Sequence, residues 1–302
     1  MFRIILFLLL VIPIKTLAQN KTCDSVLFCK TNLIKHIKSL SSDAFEGRRT
    51  GSQGAEKTQK YIINQFHALG VLPLLKGYKQ NFDFIEKREY YKGVNILGYL
   101  KGTVFPKDYI VISAHYDHEG IKQGEIFNGA DDNASGVSAL FSIAEYLKKY
   151  PPKHSIIFAA FDAEELGLEG SKYFVKSSTV DSKHIVLNLN MDMISRSEKN
   201  ELYVVGASDN KVLKEVLQGH KCSSKIKLKL GHDGYDGLDN WIYSSDHASF
   251  HKKGMPFLYF GVEDHKDYHE PTDTFENIQP DFYVDAVKTI LSVFKKVDDI
   301  KL

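Results

Sequence analysis

Three features of this sequence predict an α/β fold, a three-layer α/β/α sandwich with a mostly parallel mixed central sheet in a single domain. Four short runs, at residues 109–114, 156–161, 185–191 and 256–262, are mostly apolar. Strands apolar on both faces belong in the middle of a parallel sheet covered by helices. Stretches of helical periodicity lie between these runs, and no repeat, low-complexity tract or proline-rich linker divides the chain. Alternation of this kind builds layered α/β domains.

The elements follow in order. Residues 55–69 carry Ala55, Ile62, Phe66 and Leu69 at helical spacing and stop at Gly70, a common helix terminator. The first apolar strand, 109–114, comes next. Residues 135–149 put Val137, Leu140, Phe141, Ala144 and Leu147 on one helix face, and Pro151-Pro152 ends that helix. Strands at 156–161 and 185–191 follow, then a helix at 211–217, the last strand at 256–262 and a helix at 281–297.

The N-terminus reads as a separate segment. Arg3 precedes an apolar run at 4–12, and Thr16-Leu17-Ala18 supplies small residues at a cleavage point. This is a secretory signal pattern over 1–18, cleaved after Ala18, leaving 19–302 as the folded domain. The run is shorter than the roughly 20 residues a membrane-spanning helix needs, although an uncleaved anchor is the alternative. The expected destination is a periplasm or the medium, with no other membrane contact. There Cys23 and Cys29 are candidates to pair, leaving Cys222.

Composition bounds the function. The chain has 302 residues, 43% hydrophobic and 25% charged, ample for a core that needs no structural metal. Its net charge of +1 and the lack of a long basic run offer nothing to nucleic acid.

Ligands of open α/β sheets bind beyond the carboxyl ends of the strands, and here those ends are crowded with metal-binding side chains. The run 109–114 leads into His115-Tyr116-Asp117, and 156–161 into Asp162-Ala163-Glu164-Glu165. The run 185–191 leads into Asp192, and 256–262 into the loop bearing Tyr268-His269-Glu270. Asp131-Asp132 precedes the 135–149 helix. Imidazoles and carboxylates without thiolates suit zinc, manganese or cobalt. Each feature has an ordinary reading on its own. His115 and Asp117 make a local hydrogen bond, Asp131-Asp132 caps a helix, and Glu164-Glu165 is a solvated helix start. Asp192 follows mostly apolar residues, and a buried carboxylate needs a partner. Their convergence at one sheet edge argues for a single site.

The ordered set His115-x-Asp117, Gly129-Ala130-Asp131-Asp132-Asn133-Ala134-Ser135-Gly136, Glu164-Glu165-x-Gly167-x-x-Gly170-Ser171, Asn190-Met191-Asp192-Met193 and Tyr268-His269-x-Pro271-x-Asp273 resembles the M28 family of zinc aminopeptidases. Gly47-Arg48-Arg49-Thr50-Gly51-Ser52 and Ser245-Asp246-His247 also resemble stretches of that family. The resemblance implies two zinc ions per chain. His115 and Asp192 would hold one, Glu165 and His269 the other, and Asp132 would bridge them, leaving room for a shared water. Glu164 would be the general base, Asp117 would orient His115, and Tyr268 would donate to the developing oxyanion. The implied substrates are peptides with a free N-terminus.

Some residues carry looser expectations. The segment 231–241, rich in glycine and aromatics, either lines the substrate side-chain pocket together with Phe250 or is an ordinary surface loop. Asp246 and His247 read as supporting residues, and the other histidines, such as His36, His67 and His220, as surface or structural. Competing functions are a glutaminyl-cyclase-like acyltransferase with one zinc, a related carboxypeptidase using Arg196 for a substrate carboxylate, and a non-catalytic binding module.

Overall fold

The apolar runs become neighbouring strands of one sheet in this computed structural model, which describes residues 27–208, 210–218 and 225–302. The strands are β1 (Leu72–Pro73), β2 (Lys79–Glu86), β3 (Glu89–Leu100), β4 (Phe105–His115), β5 (Gly120–Lys122), β6 (Glu125–Phe127), β7 (His154–Phe161), β8 (Ile185–Met191), β9 (Glu201–Val205), β10 (Lys227–Leu230) and β11 (Phe257–Gly261). Nine of them form one sheet in the order β1-β3-β7-β4-β8-β11-β9-β10, with β2 paired to β3 beside that path, and β5 and β6 make a separate hairpin. The four strands β7, β4, β8 and β11 are mutually parallel, and antiparallel pairs flank them at β3–β7 and β11–β9.

Alternate residues of these strands enter two different cores, as the pleat requires. Ile110, Ile112 and Ala114 of β4 pack beneath the helices α1 (Lys30–Leu40), α2 (Gln53–Leu69), α3 (Gly136–Lys149) and α7 (Pro280–Asp298). Val111 points the other way, toward α4 (Glu169–Lys176) and α6 (His247–His251), where it joins Phe161, Phe174 and Phe250. The helix α5 (Lys211–Gln218) packs against α7 on the first face. The architecture is therefore the three-layer α/β arrangement, with a mixed central sheet.

Local chemistry sets the helix boundaries. Ser52 caps α2 by accepting from the Ala55 N–H at 3.1 Å, and Gly70 ends it at φ 78°. Gly136 opens α3 pressed against the end of β8, since a Cβ there would lie 2.5 Å from the Met191 carbonyl oxygen. Neither Asp131 nor Asp132 caps α3. The Gly136 N–H instead donates to Asn133 Oδ1 at 2.8 Å.

Several elements fall outside the sequence expectations, β2 and α1 among them. β2 buries only Gln80 and Phe82, so it shows no apolar run. α1 is short and polar, with Leu33, Ile37 and Leu40 as its buried residues. Residues 1–26 and 219–224 lie outside the described part, and with them the signal segment, Cys23, Cys222 and His220. Cys29 is disulfide-bonded, but the expected pairing with Cys23 falls outside the described residues. No described helix is long and apolar enough to cross a membrane.

Candidate metal centre and active site

The chain leaves β4 through α3 to reach β7 on one side, then passes through α4 to β8 on the other side of β4. A crevice opens where connections diverge in this way. His115 is the last residue of β4, Glu164 and Glu165 follow β7, and Asp192 follows β8. His269 lies on the loop after β11.

These side chains meet at short range. His115 Nε2 lies 3.2 Å from Asp132 Oδ1 and 3.2 Å from Asp192 Oδ1. His269 Nε2 lies 3.2 Å from Asp132 Oδ2 and 3.3 Å from Glu165 Oε2. Asp132 thus stands between the two histidines, one oxygen to each. Donor atoms of His115, Glu164 and Asp192 fall within 4.8 Å of one another, and so do those of His118, Asp132 and Glu165. Imidazole and carboxylate donors in this number fit zinc.

The electrostatics are those of a place made for cations. Burial opposes a charge on His115, yet Asp192 and Glu164 outweigh it and hold its pKa well above the ordinary value. Burial likewise opposes a charge on His269, and Asp132 and Glu165 raise it to about 10. Asp132 is held well below the carboxylate range against its burial, by hydrogen bonds from His115 and His269. The carboxylates around these two imidazoles thus favour positive charge at both. Glu164 behaves differently: burial pushes its carboxyl well up, and the charges of Asp192 and Glu165 add to the rise while His115 opposes it.

Buried hydrogen bonds hold the frame. Asp117 accepts from the Glu164 N–H at 3.0 Å and the Glu165 N–H at 3.3 Å. His115 Nδ1 faces the Asp117 carbonyl oxygen at 3.1 Å, with Asp117 Oδ1 farther away at 3.8 Å. The expected orientation of His115 by residue 117 thus runs mainly through the backbone. Asp273 accepts from the Asp131 N–H at 2.9 Å and the Asp132 N–H at 3.0 Å. Asp131 turns away from the centre to bind the Ser195 N–H at 2.6 Å and His265 Nε2 at 3.0 Å. The guanidinium of the fully buried Arg48 donates to the carbonyls of Leu40, Tyr116, Asn128 and Gly129 at 2.6–2.8 Å. Arg48 therefore ties the end of β4 to the loop that carries Asp132.

A cavity of about 160 Å³ opens over these groups. Asp132, Glu164, Glu165, Asp192 and His269 line it, with Trp241, Tyr259 and Tyr268 among its other walls. The Tyr268 ring stacks on His269 at 3.9 Å, and burial raises its hydroxyl pKa further, which keeps it a proton donor. Of the 231–241 segment, Trp241 reaches the cavity, stacked on His232 at 3.5 Å. Phe250 does not line it: the ring is buried between Phe161 and Phe174, because α6 faces the second core. His247 Nε2 binds the Trp241 carbonyl at 2.8 Å, and its ring stacks on Tyr259 at 4.3 Å. Arg196 is paired with Asp267 at 2.5 Å.

Sequence reasoning passed over His118 and His265, and gave Arg48 no role beyond its place in a family-like stretch. The signal for His118 was present in the run His115-Tyr116-Asp117-His118, but strand alternation directs residue 118 away from the face of 115. The chain leaves β4 at His115, so alternation no longer applies there.

A family model described as Peptidase family M28 matches residues 95–294. Aminopeptidase YwaD of Bacillus subtilis is 33% identical over 196 residues, covering 61% of this chain and 40% of that protein. A probable glutamate carboxypeptidase of Zea mays, VP8, is 29% identical over 213 residues, covering 65% of this chain and 28% of that protein. The chain's match thus spans less than half the length of either relative. Among solved structures, a zinc aminopeptidase from Bacillus subtilis superposes with a TM-score of 0.70 at 18% identity, over 89% of this chain and 95% of that one. A glutaminyl cyclase from Porphyromonas gingivalis gives 0.72 at 17% identity, over 90% and 99%. At these identities the likeness is one of fold.

Proposed function

This chain belongs to peptidase family M28, and from that premise we propose that it is a two-zinc aminopeptidase removing single residues from free peptide N-termini. The observation that carries the proposal is Asp132, whose two oxygens each face a different histidine at 3.2 Å. In this reading His115 and Asp192 would hold one ion, Glu165 and His269 would hold the other, and Asp132 would serve both. When bound, zinc supplies Lewis acidity toward a carbonyl and lowers the pKa of water.

The protein's own groups do the rest. Glu164 lines the cavity beside the residues assigned to the ions. Its raised pKa poises its carboxylate to take a proton from water and return it to the leaving amine nitrogen. Tyr268 keeps its hydroxyl proton and donates it as a hydrogen bond to the developing oxyanion. The excess of carboxylates around the cavity attracts an ammonium group, which selects for a free N-terminus. Trp241 and Tyr259 offer aromatic walls to the side chain of that first residue. Export belongs to the same proposal, and N-terminal sequencing of secreted protein should begin at Gln19.

The test uses zinc-loaded protein with leucine, alanine, lysine and glutamine arylamides beside N-acetylated controls. Cleavage of free-amine substrates alone, lost with phenanthroline and in Glu164→Gln, supports the proposal. Cyclisation of the glutamine substrate without cleavage of the others, with one zinc per chain, overturns it in favour of acyl transfer.

A further inference from the structure

We propose that His118 is a positioning residue for Glu165, donating from Nδ1 to Oε1 so that Oε2 alone faces the second metal position. The inference rests on the two-zinc reading above and adds a residue to it.

The two oxygens of Glu165 are divided. Oε1 lies 2.8 Å from His118 Nδ1, and Oε2 lies 3.3 Å from His269 Nε2. A carboxylate with both oxygens free can chelate one ion through either or both. With one oxygen committed to an N–H donor, Glu165 is left with a single donor atom in a single direction. His118 Nδ1 is 3.6 Å from Asp132 Oδ2, beyond hydrogen-bond range, so its proton goes to Glu165.

The ring is built into place. His118 is 1% exposed, and its Nε2 finds no hydrogen-bond partner. A buried imidazole nitrogen left without a partner is costly, so the position is not one that local stability favours. Gly129 makes room for it: a Cβ at residue 129, where φ is +52°, would lie 2.6 Å from the ring Cγ and Cδ2 of His118. The same turn carries Asp132, so one piece of backbone sets both the bridging carboxylate and the ring that steers Glu165. Groups that orient a metal ligand through its second donor atom commonly alter metal affinity about 10–100-fold when removed.

The experiment compares wild type, His118→Ala and His118→Asn by competition with a chromophoric zinc chelator, reading the two binding steps separately. An asparagine amide N–H can take the place of Nδ1–H, but it cannot replace an imidazole as a ligand. The expected result is that His118→Ala weakens one zinc step about 10–100-fold and leaves the other unchanged. His118→Asn should restore most of the lost affinity. The unaffected step reports that the fold is intact. Unchanged affinity in His118→Ala, or an asparagine variant as weak as alanine, overturns the positioning role. A wild type that binds fewer than two zinc ions would instead overturn the two-zinc reading itself.

Discussion

The Asp117 carboxylate accepts the backbone N–H of Glu164 at 3.0 Å, while the Asp117 carbonyl oxygen faces His115 Nδ1 at 3.1 Å. One residue therefore braces the candidate base and a candidate ligand from opposite sides. Burial and the neighbouring charge of Asp162 push the Asp117 pKa well up, with His115 opposing. Asp117→Asn keeps the shape but turns an amide toward one of the N–H groups of Glu164 and Glu165. The expected outcome is a fall in kcat of about 10–100-fold with a smaller change in KM. Steady-state kinetics at fixed zinc occupancy check it.

Among the described residues Asp132 alone faces both histidines, so removing it should differ in kind from removing Asp192. Zinc that binds only the folded state raises stability by about 4 kcal/mol at a thousandfold excess over Kd. Asp192→Ala is expected to keep one zinc ion and part of the thermal shift. Asp132→Ala is expected to lose both ions and nearly all of the shift, read by metal analysis and calorimetry. Equal zinc content in the two variants would contradict the bridging role.

Arg48 makes four strong bonds to carbonyls, with a longer one to the Asp132 carbonyl at 3.4 Å. Arg48→Met fills the space but leaves those acceptors without their donor. Each buried group left unsatisfied costs about 1–3 kcal/mol. A drop of at least ~3 kcal/mol is expected, seen as a Tm fall of roughly 10 °C. Arg48→Lys should recover only part of it, since one ammonium cannot span acceptors from residues 40 to 129.

His36 predicts a pH effect on stability away from the site. Its ring packs against Phe141, Nδ1 meets the Tyr61 hydroxyl at 2.8 Å, and burial lowers its pKa from 6.5 to about 4, with Lys35 adding to the effect. The unfolded chain takes up a proton near 6.5 that the folded chain refuses until about 4. This contribution is thus complete above pH 6.5 and is lost as pH falls from there toward 4. It amounts to roughly 2 kcal/mol, since the ring is only partly buried. Urea unfolding at several pH values should show a shallower acid loss in His36→Gln than in wild type.

Trp241 forms a wall of the cavity and stands edge-on to Tyr259 at 6.2 Å. Trp241→Ala is expected to raise KM for leucine and phenylalanine arylamides by roughly tenfold while changing alanine substrates little. An equal effect on all substrates would mean that Trp241 does not contact the side chain.

By itself the sequence determined the strand core and the identity of the polar residues at its carboxyl end. Runs as apolar as 109–114, 156–161 and 185–191 are best satisfied between two helical layers, which sets where these strands go. His115, Asp132, Glu164, Glu165 and Asp192 were legible as one cluster because each sits at, or just beyond, such an element boundary, and His269 because it lies on the loop after the last strand. The tertiary structure alone decided how they are held. Arg48 acts through backbone carbonyls of residues 40, 116, 128 and 129, which have no signature in side-chain chemistry. His118 turns toward Glu165 after the strand ends, where no periodicity predicts direction. Phe250, read as a pocket residue, is core because packing on the second face gives it two aromatic neighbours. Periodicity reports which face of an element is buried; hydrogen bonds between loops depend on chain positions brought together only by the finished fold.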